Sequence, residues 1–429
     1  MKFAFCSLGC KANQCETASL EYQCVSLGHE VVPFSEKADV YVINTCAVTA
    51  SGCRKSRTVV HSARKNAPNS IIAVCGCYSQ MNPQELVDNG ADIVFGTADK
   101  AKIIPQAIAF AGSRSTPQIF ASENTPCTFE QLSGSLSERT RAYLKIEDGC
   151  NNFCTYCIIP HVRGRVRSAS REFILSELDR LCKEGYKEVV LTGIEICSYG
   201  NDTGDNLIDL LKTICTNYPS VRFRLGSLEP RTITEEFCAE LSGFGNLCNH
   251  FHLSLQSGCD ATLKRMGRRY DTSRFYQSVR LLRENFPNCG ITTDLIVGFP
   301  GETEEEFAQT MQFIEKCGFS SMHIFPYSRR EGTPADKMQN QLTKAAKDSR
   351  AKQASEIAQR MHDKFSNAMV GQTLSVIFER NIGGNVWIGH SSNYCEVTAK
   401  SESDMRNIQC NVEITANSGN YLCGNISNV

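Results

Sequence analysis

The alternation of short apolar segments with amphipathic segments constrains the fold of this chain more than any other feature of its sequence. Between residues 140 and 330 the alternation repeats at roughly thirty-residue intervals, the length of one strand–helix unit. Six β-rich segments are predicted strands: 142–147, 188–193, 222–227, 251–257, 291–299 and 321–327. Helices are predicted between them over 171–184, 206–216, 232–242, 260–285 and 303–317. These units predict a partial (β/α)6 barrel, with its active site at the carboxyl ends of the strands.

The first hundred residues show the same alternation and predict a separate parallel sheet. Their predicted strands are 2–6, 39–44, 70–75 and 92–96, and their predicted helices are 16–28 and 48–66. Near-continuous apolar strands separated by helices are typical of a parallel sheet that is covered on both faces. Residues 112–138 are rich in Ser, Thr and Pro and lack sustained periodicity, so we expect a linker or an extended excursion between domains there.

The last part of the chain changes character twice. Residues 343–369 form a basic, Ala-rich segment that predicts one helix. The tail contains five short β-rich segments separated by Gly and Asn, which predict a small antiparallel β-barrel. The sequence thus predicts an α/β protein of three domains, comprising residues 1–135, 136–369 and 370–429.

Cysteine is the outlier of the composition, with 23 in 429 residues. The odd count and the length of the chain argue against a disulfide framework, which is a device of small secreted domains. The opening MKFAFCSLGCKANQ has no signal-peptide pattern, and no apolar run is long enough to span a membrane. We therefore expect a cytoplasmic protein whose cysteines are metal ligands, catalytic groups or small buried hydrophobes.

The strongest chemical signal is the C-x3-C-x2-C spacing of Cys150, Cys154 and Cys157, directly after the first predicted strand of the barrel. Three soft thiolate donors in one short loop predict an iron–sulfur cluster or a zinc ion. His161 lies four residues beyond Cys157, so a Cys3His zinc site is an alternative. Three buried structural cysteines are the less favoured interpretation.

A second set of cysteines, Cys10, Cys46 and Cys77, occurs in the N-terminal region, where each follows a predicted strand. Because the carboxyl ends of adjacent parallel strands meet at one edge of a sheet, these cysteines can converge on a single centre. The alternative is that they pack in the core, as we expect for most of the other cysteines. Cys75 lies so close to Cys77 that the sequence alone leaves a swap between the two open.

The cysteine loop at 150–157 resembles the radical S-adenosylmethionine (SAM) superfamily, whose C-x3-C-x-aromatic-C motif is matched here with Tyr156 as the aromatic residue. The resemblance implies that the three cysteines of this loop hold a [4Fe–4S] cluster with one iron open to SAM. Cleavage of SAM would then supply a 5′-deoxyadenosyl radical that abstracts hydrogen from an inert carbon. Gly193 and Glu195 end the second barrel strand, where the superfamily binds the SAM amino group, although Glu195 is an equally good substrate or structural carboxylate.

The N-terminal segments LGCKANQ, NTCAVT and GCYSQ resemble the methylthiotransferases, a radical-SAM subgroup with a second [4Fe–4S] cluster. Carried over residue by residue, the ligands of that cluster are Cys10, Cys46 and Cys77, with one iron open to an exogenous sulfur. The substrate carbon must then lie between two clusters, so the carboxyl edge of the N-terminal sheet should face the barrel mouth. The tail resembles a TRAM domain, which is a small RNA-binding barrel.

Several segments resemble the branch of this family that acts on threonylcarbamoyladenosine in tRNA: LKIEDGCNNFCTYCIIP, LTGIEICSYG, LGSLEP, DLIVGFPGETEEEF and FPYSRREGTPA. The resemblance implies that the C2–H of this nucleoside is replaced by a methylthio group, with two SAM, two [4Fe–4S] clusters, a one-electron reductant and a sulfide or persulfide source. The alternatives are the same chemistry on isopentenyladenosine in tRNA or on a ribosomal-protein aspartate, and a non-catalytic iron–sulfur RNA-binding protein. We expect a monomer with no membrane partner.

A net charge of -1 means that local basic patches must hold any RNA. Arg163, Arg165 and Arg167 occupy alternate positions and would share one face of an extended segment. Further basic clusters occur at 264–269 and on the predicted helix 48–66. The tail holds three basic residues against five acidic ones, so its RNA role would depend on shape and stacking. Its only tryptophan, Trp387, is either an exposed stacking residue or part of the barrel core.

Overall fold

A six-stranded parallel sheet forms the N-terminal part of the chain, in a computed structural model that describes residues 1–113, 116–122, 125–134 and 140–427. Its strands are β1 (Lys2–Ser7), β2 (Glu30–Val32), β3 (Val40–Thr45), β4 (Ile71–Gly76), β5 (Ile93–Val94) and β6 (Gln118–Ile119). Its helices are α1 (Lys11–Ser26), α2 (Ala50–Asn66), α3 (Cys77–Met81), α4 (Pro83–Asp88) and α5 (Ile103–Ser113). The strand order is β2-β1-β3-β4-β5-β6, and all pairings are parallel. Every residue of β3 and β4 is buried, because helices cover both faces of the sheet.

The segment 112–138, predicted to be a linker or an extended excursion between domains, contributes an edge strand to this sheet. Gln118 and Ile119 form the edge strand β6, parallel to β5, and Phe120 stacks on Phe95 with ring centroids 4.8 Å apart. A strand of two residues has no periodicity that a sequence pattern can detect. The predicted domain boundary between residues 135 and 136 lies outside the described residues.

The central part of the chain is a parallel barrel that does not close. Its strands are β7 (Arg141–Lys145), β10 (Glu188–Thr192), β11 (Arg222–Leu225), β12 (Ser227–Leu228), β13 (His250–Gln256), β14 (Gly290–Val297) and β15 (Ser321–Pro326). Between β7 and β10, the short strands β8 (Glu147–Asp148) and β9 (Arg167–Ser168) form a separate antiparallel pair. Its helices are α6 (Ile159–Val162), α7 (Arg171–Lys183), α8 (Leu207–Asn217), α9 (Glu235–Leu241), α10 (Asp260–Arg265), α11 (Thr272–Asn285), α12 (Glu304–Cys317) and α13 (Lys344–Ala368). One parallel sheet has the order β11-β10-β7, and a second, β12-β13-β14-β15, begins one residue after β11. β7 and β15 are the outer edges, which confirms the partial barrel.

Local sequence signals explain where two of these helices begin or end. Thr303 and Glu306 form a capping box at the start of α12, each side chain bonded to the other residue's backbone N–H. The single helix predicted over 260–285 is two helices, α10 and α11, and the break at Gly267 places Arg268 beside the cysteine loop. No helix in the described part of the chain combines the length and the apolar character needed to cross a membrane.

The tail is a closed five-stranded barrel. Its strands are β16 (Thr373–Asn381), β17 (Val386–Ser391), β18 (Glu396–Lys400), β19 (Gln409–Asn417) and β20 (Leu422–Ile426), in the order β16-β17-β18-β20-β19. Four pairings are antiparallel, as expected, but β18 pairs with β20 in parallel. Trp387 is 8% exposed and belongs to the barrel core, which decides between its two possible roles.

The tail barrel packs on the amino-terminal ends of the central strands. Arg222 and Arg224 at the start of β11 both pair with Glu188 of β10 and donate hydrogen bonds to backbone carbonyls of the tail. Tyr394 lies beside them, with its ring stacked on His250 at a centroid distance of 4.5 Å. The tail therefore lies at the opposite end of the barrel from the strand ends where an active site is expected.

Candidate active site between two sheet edges

The three N-terminal cysteines of the predicted second centre lie at one edge of the first sheet. Cys10 follows β1, Cys46 follows β3 and Cys77 follows β4, and these strands are neighbours in the order β1-β3-β4. The turn before Cys10 requires glycine, since Gly9 has φ +96° and a Cβ there would lie 2.7 Å from the Cys46 Sγ. The sheet order thus brings together three residues that are far apart in sequence.

The structure gives Cys75 and Cys77 different surroundings. Cys75 lies within β4, is fully buried and packs in the core on the face that α1 and α5 cover. Cys77 begins α3 at the carboxyl edge, and its Sγ accepts a hydrogen bond from the Arg163 Nε at 3.3 Å. Burial raises the pKa of Cys77 to about 11, while the Arg163 charge acts in the opposite direction. Only Cys77 of the two is therefore positioned beside Cys10 and Cys46.

The second set, Cys150, Cys154 and Cys157, lies in the loop between β8 and α6. Gly149 has φ +87° and packs so closely on the returning backbone of the loop that a Cβ would clash with it. The Arg268 guanidinium donates a hydrogen bond to the Cys154 Sγ at 3.2 Å. Burial raises the pKa of Cys157 to about 12. Each cysteine set thus has one arginine in contact with one of its sulfur atoms.

Glu147 organises the loop that carries Gly193 and Glu195. Its buried carboxylate accepts two backbone N–H groups of that loop, at 2.7 and 2.9 Å, and burial raises its pKa well above the ordinary value. Glu195 in turn accepts a hydrogen bond from the Cys150 Sγ at 3.2 Å, and the Asn152 amide reaches both of its carboxylate oxygens. The structure therefore places Glu195 against the cysteine loop and Gly193 beside Glu147.

A cleft of about 650 Å³ lies between the two cysteine-bearing edges. Cys10 and Cys46 line its N-terminal wall, and Tyr156, Gln256 and Asp294 line its barrel wall. Its volume is in the range of small-molecule sites. The carboxyl edge of the first sheet therefore faces the mouth of the central barrel.

The donors at both edges are thiols, the soft ligands that iron–sulfur clusters use. Each edge offers three thiols, yet no three His, Cys, Asp or Glu side chains in the described ranges form a group close enough for one ion. His161, the alternative zinc ligand, instead packs edge-on against Phe153 with ring centroids 5.7 Å apart. A cluster at either edge would distribute its thiolates over several irons. Its negative charge would be offset by Arg163 at the N-terminal set and by Arg268 at the cysteine loop.

A buried ionic network joins the first sheet to the central barrel behind the cleft. Glu16 of α1 pairs with Lys100 at 3.3 Å, with Lys145 of β7 at 2.8 Å and with Arg163 at 3.0 Å. Asp148 pairs with both Lys145 and Arg163. Burial alone would raise the pKa of Glu16, but the three cations hold it well below its ordinary value. The two walls of the cleft are therefore connected by charges that solvent does not reach.

This network corrects the prediction that Arg163, Arg165 and Arg167 share one RNA-facing surface. Arg163 is 0% exposed, Arg167 is buried against Asp148, and Arg165 alone of the three is exposed. The segment is not extended, because the chain leaves α6 and turns before it enters β9. The exposed basic residues of the three predicted patches are Arg54, Lys55, Lys65, Arg165, Lys264 and Arg269.

Sequence reasoning missed Glu147, Lys145 and Glu16 as parts of the site. The available signal was a lysine and a glutamate at the end of the otherwise apolar segment AYLKIE. Charged side chains in a buried strand need partners, so this pattern indicates an internal ionic network. The partners themselves could not be predicted from the sequence, because Glu16 lies 129 residues from Lys145.

Comparison with protein families matches two parts of the chain. Residues 144–314 match the radical SAM superfamily, and residues 2–96 match a family described as uncharacterized protein family UPF0004. The solved radical S-adenosylmethionine methyltransferase TsrM from Kitasatospora setae, with cobalamin and a [4Fe–4S] cluster bound, has a similar fold. Its TM-score is 0.58 at 13% identity, covering 90% of this chain and 80% of that one. At this identity the likeness concerns the fold alone.

Curated relatives match over nearly the whole chain. The threonylcarbamoyladenosine tRNA methylthiotransferase MtaB of Bacillus subtilis (strain 168) is 38% identical over 94% of this chain and 91% of its own length. MtaB of Thermotoga maritima is 36% identical, with 90% and 89% covered. The tRNA-2-methylthio-N(6)-dimethylallyladenosine synthase of Bacillus subtilis (strain 168) is 33% identical, with 88% and 76% covered. The chain belongs to the radical-SAM methylthiotransferase family.

Proposed function

We propose that this enzyme converts N6-threonylcarbamoyladenosine next to the anticodon of tRNA into its 2-methylthio derivative. Four relatives named for threonylcarbamoyladenosine are 35–38% identical to this chain, whereas four named for dimethylallyladenosine are 32–33% identical. The quoted segments of the central domain, from the cysteine loop at 144–160 to 325–335, support the same choice. The cytoplasmic location, the monomeric state, the reductant and the sulfide or persulfide source remain predictions.

The proposal assigns one [4Fe–4S] cluster to each cysteine set. Cys150, Cys154 and Cys157 would hold the cluster that binds SAM, and the N-terminal set at positions 10, 46 and 77 would hold the cluster that receives the sulfur. The bound cluster and SAM supply the radical that removes hydrogen from the substrate, and a second SAM supplies the methyl group. Family membership supports SAM and a [4Fe–4S] cluster, and the second cluster is our proposal.

The protein's own residues position the reactants around the cleft. Glu147 fixes the backbone of the loop with Gly193 and Glu195, which would orient the amino group of SAM. Tyr156 packs edge-on against Phe299, with ring centroids 6.3 Å apart, and forms an apolar wall at the cysteine loop. The observation that carries the proposal is that Cys10 and Cys46 share one cleft with Tyr156, so a substrate in this cleft contacts both edges.

The test is nucleoside analysis of tRNA after reaction with the anaerobically reconstituted enzyme, SAM, sulfide and dithionite. We expect about eight irons per chain, formation of 5′-deoxyadenosine, and 2-methylthio product only from tRNA that carries threonylcarbamoyladenosine. If product forms instead from isopentenyladenosine tRNA or from a ribosomal protein, that molecule is the substrate and the proposed substrate is wrong. Iron binding without 5′-deoxyadenosine would leave a non-catalytic RNA-binding protein.

The variant Cys154→Ala tests whether the two cysteine sets are separate. It should abolish 5′-deoxyadenosine formation and retain about four irons per chain, because the N-terminal set keeps all its ligands. Loss of all iron in a variant that still melts like the wild type would contradict two independent clusters.

A further inference from the structure

Arg330 differs from every other buried arginine in the described part of the chain. Six arginines are buried there: Arg163, Arg167, Arg222, Arg224, Arg330 and Arg350. Five of them form ion pairs with buried or partly buried carboxylates. Arg330 is 7% exposed and forms no ion pair with any described residue. Its Nη2 contacts the Met81 Sδ at 4.0 Å, and its Nε, like those of Arg167 and Arg350, has no hydrogen-bond partner among the described residues.

Arg330 lies where the two cysteine-bearing edges meet. Its segment is anchored on one side by the Ser328 hydroxyl, which accepts the Ala50 N–H at the start of α2 at 3.2 Å. On the other side, the Ala335 N–H donates to the Thr155 carbonyl of the cysteine loop at 2.8 Å. Met81, which Arg330 contacts, ends the short helix that begins at the proposed ligand Cys77. Arg330 lines the cleft between these anchors.

A buried guanidinium without a counter-charge is costly, because desolvation of the cation is repaid only by an anion with matching hydrogen bonds. The carboxylate on the barrel wall, Asp294, is paired elsewhere, with His252 at 3.2 Å. The planar fork of a guanidinium matches the two oxygens of a carboxylate. The cleft thus presents a ready site for a carboxylate that arrives with a ligand.

We propose that Arg330 binds the carboxylate of a ligand in this cleft. Under the proposed function, on which this inference rests, two ligands carry one: the threonylcarbamoyl group of the substrate and the methionine part of SAM. A carboxylate held between the two edges would fix the orientation of its ligand relative to both cysteine sets. Arg330 is in this sense a binding and positioning residue.

The test compares Arg330→Gln and Arg330→Lys with the control Arg329→Gln. Arg329 is the neighbouring residue, is 59% exposed at its side chain and pairs with Asp336 at the surface. Two affinities are measured: that of SAM for the reconstituted enzyme by equilibrium dialysis, and those of two anticodon stem-loops, with and without threonylcarbamoyl, by fluorescence anisotropy. Melting curves and iron content are recorded for each variant.

If the carboxylate belongs to the substrate, Arg330→Gln should weaken binding of the threonylcarbamoyl stem-loop by about tenfold or more and leave the unmodified stem-loop unchanged. If it belongs to SAM, the same variant should weaken SAM binding by that factor and leave both stem-loops unchanged. Arg330→Lys should retain part of the affinity, since it keeps the charge and loses the fork. Arg329→Gln should match the wild type.

Unchanged affinity for SAM and for both stem-loops in Arg330→Gln would overturn the proposal. If that variant does not fold, unchanged affinities in a folded Arg330→Lys would overturn it as well. Failure of the proposed function is distinguishable, because wild-type enzyme would then give no 2-methylthio product from threonylcarbamoyl tRNA. In that case, the affinity of Arg330→Gln for SAM still shows whether Arg330 binds the SAM carboxylate.

Discussion

At the scale of single residues, the position of a cysteine relative to the end of its strand decides what it can contact. Cys75 and Cys77 differ by two positions, yet one packs in a core and the other faces Arg163 at the sheet edge. Strand patterns predicted that Cys10, Cys46 and Cys77 reach one sheet edge, and the strand order β1-β3-β4 confirms this; their role as ligands stays a prediction. The same patterns could not separate Cys75 from Cys77, because the end of β4 is fixed by packing and hydrogen bonds that no local pattern encodes.

We expect Cys77→Ala to lower the iron content of the reconstituted protein by about four per chain, since the proposed N-terminal cluster loses one of its ligands. Cys75→Ala is the matched control and should retain the iron content of the wild type. Both contents are measured by iron analysis after anaerobic reconstitution. The reverse result would make Cys75 the ligand and Cys77 the packing residue.

At the scale of elements, the turn between β17 and β18 packs against the amino-terminal end of the central barrel. Tyr394 in this turn stacks on His250, and the Arg224 guanidinium lies 4.9 Å from its ring centroid. The five strands of the tail could be predicted from their β-rich segments and turns. The position of the tail on the central barrel could not be predicted, because it depends on two arginines of β11 that nothing in the sequence distinguishes from other strand residues.

This contact should depend on pH. Burial, and then the nearby Arg224, lower the pKa of His250 well below 6.5, and His252 and Lys11 act in the same direction while Glu188 opposes them. A folded-state pKa below the unfolded value means that protonation favours unfolding. The contribution of neutral His250 to the unfolding free energy is therefore complete above about pH 6.5 and declines as the pH falls below that value.

The variant His250→Asn measures this contribution. Between pH 7.5 and 5.5 the wild type should lose about 1 kcal/mol of unfolding free energy more than the variant, because Asn cannot take up the proton. Chemical denaturation at the two pH values provides the comparison. His61→Asn, at an exposed position of α2, should behave like the wild type. An equal loss in His250→Asn and the wild type would show that His250 does not titrate in this range.

At the scale of the whole molecule, the interface between the first sheet and the central barrel determines the cleft. That the two cysteine sets should face each other followed from the chemistry that the family resemblance implies. The ion pairs that hold this interface together could not be predicted, because Arg163 and Glu16 lie 147 residues apart and the sequence pattern indicated a surface position for Arg163. Long-range ionic partners of this kind have no periodic signature in a sequence.

Glu16→Gln should destabilise the protein by about 3–5 kcal/mol, because it leaves Lys100, Lys145 and Arg163 buried without their shared carboxylate. The control is Glu30→Gln, which removes an exposed pair with Lys2 and should change stability by no more than about 1 kcal/mol. Chemical denaturation gives both values. Equal stabilities for the two variants would contradict a structural role for the network.

Under the proposed function, the same network limits how the tRNA can reach the cleft. Walls connected through Glu16, Lys145 and Arg163 cannot separate without exposing these charges, so the cleft does not widen around a stacked anticodon loop. The target adenosine of the proposed reaction would then reach the cavity by swinging out of its stack, as bases do in other enzymes that act on them. The deformation would fall on the nucleic acid, and loops whose target base is already poorly stacked would be the easier substrates.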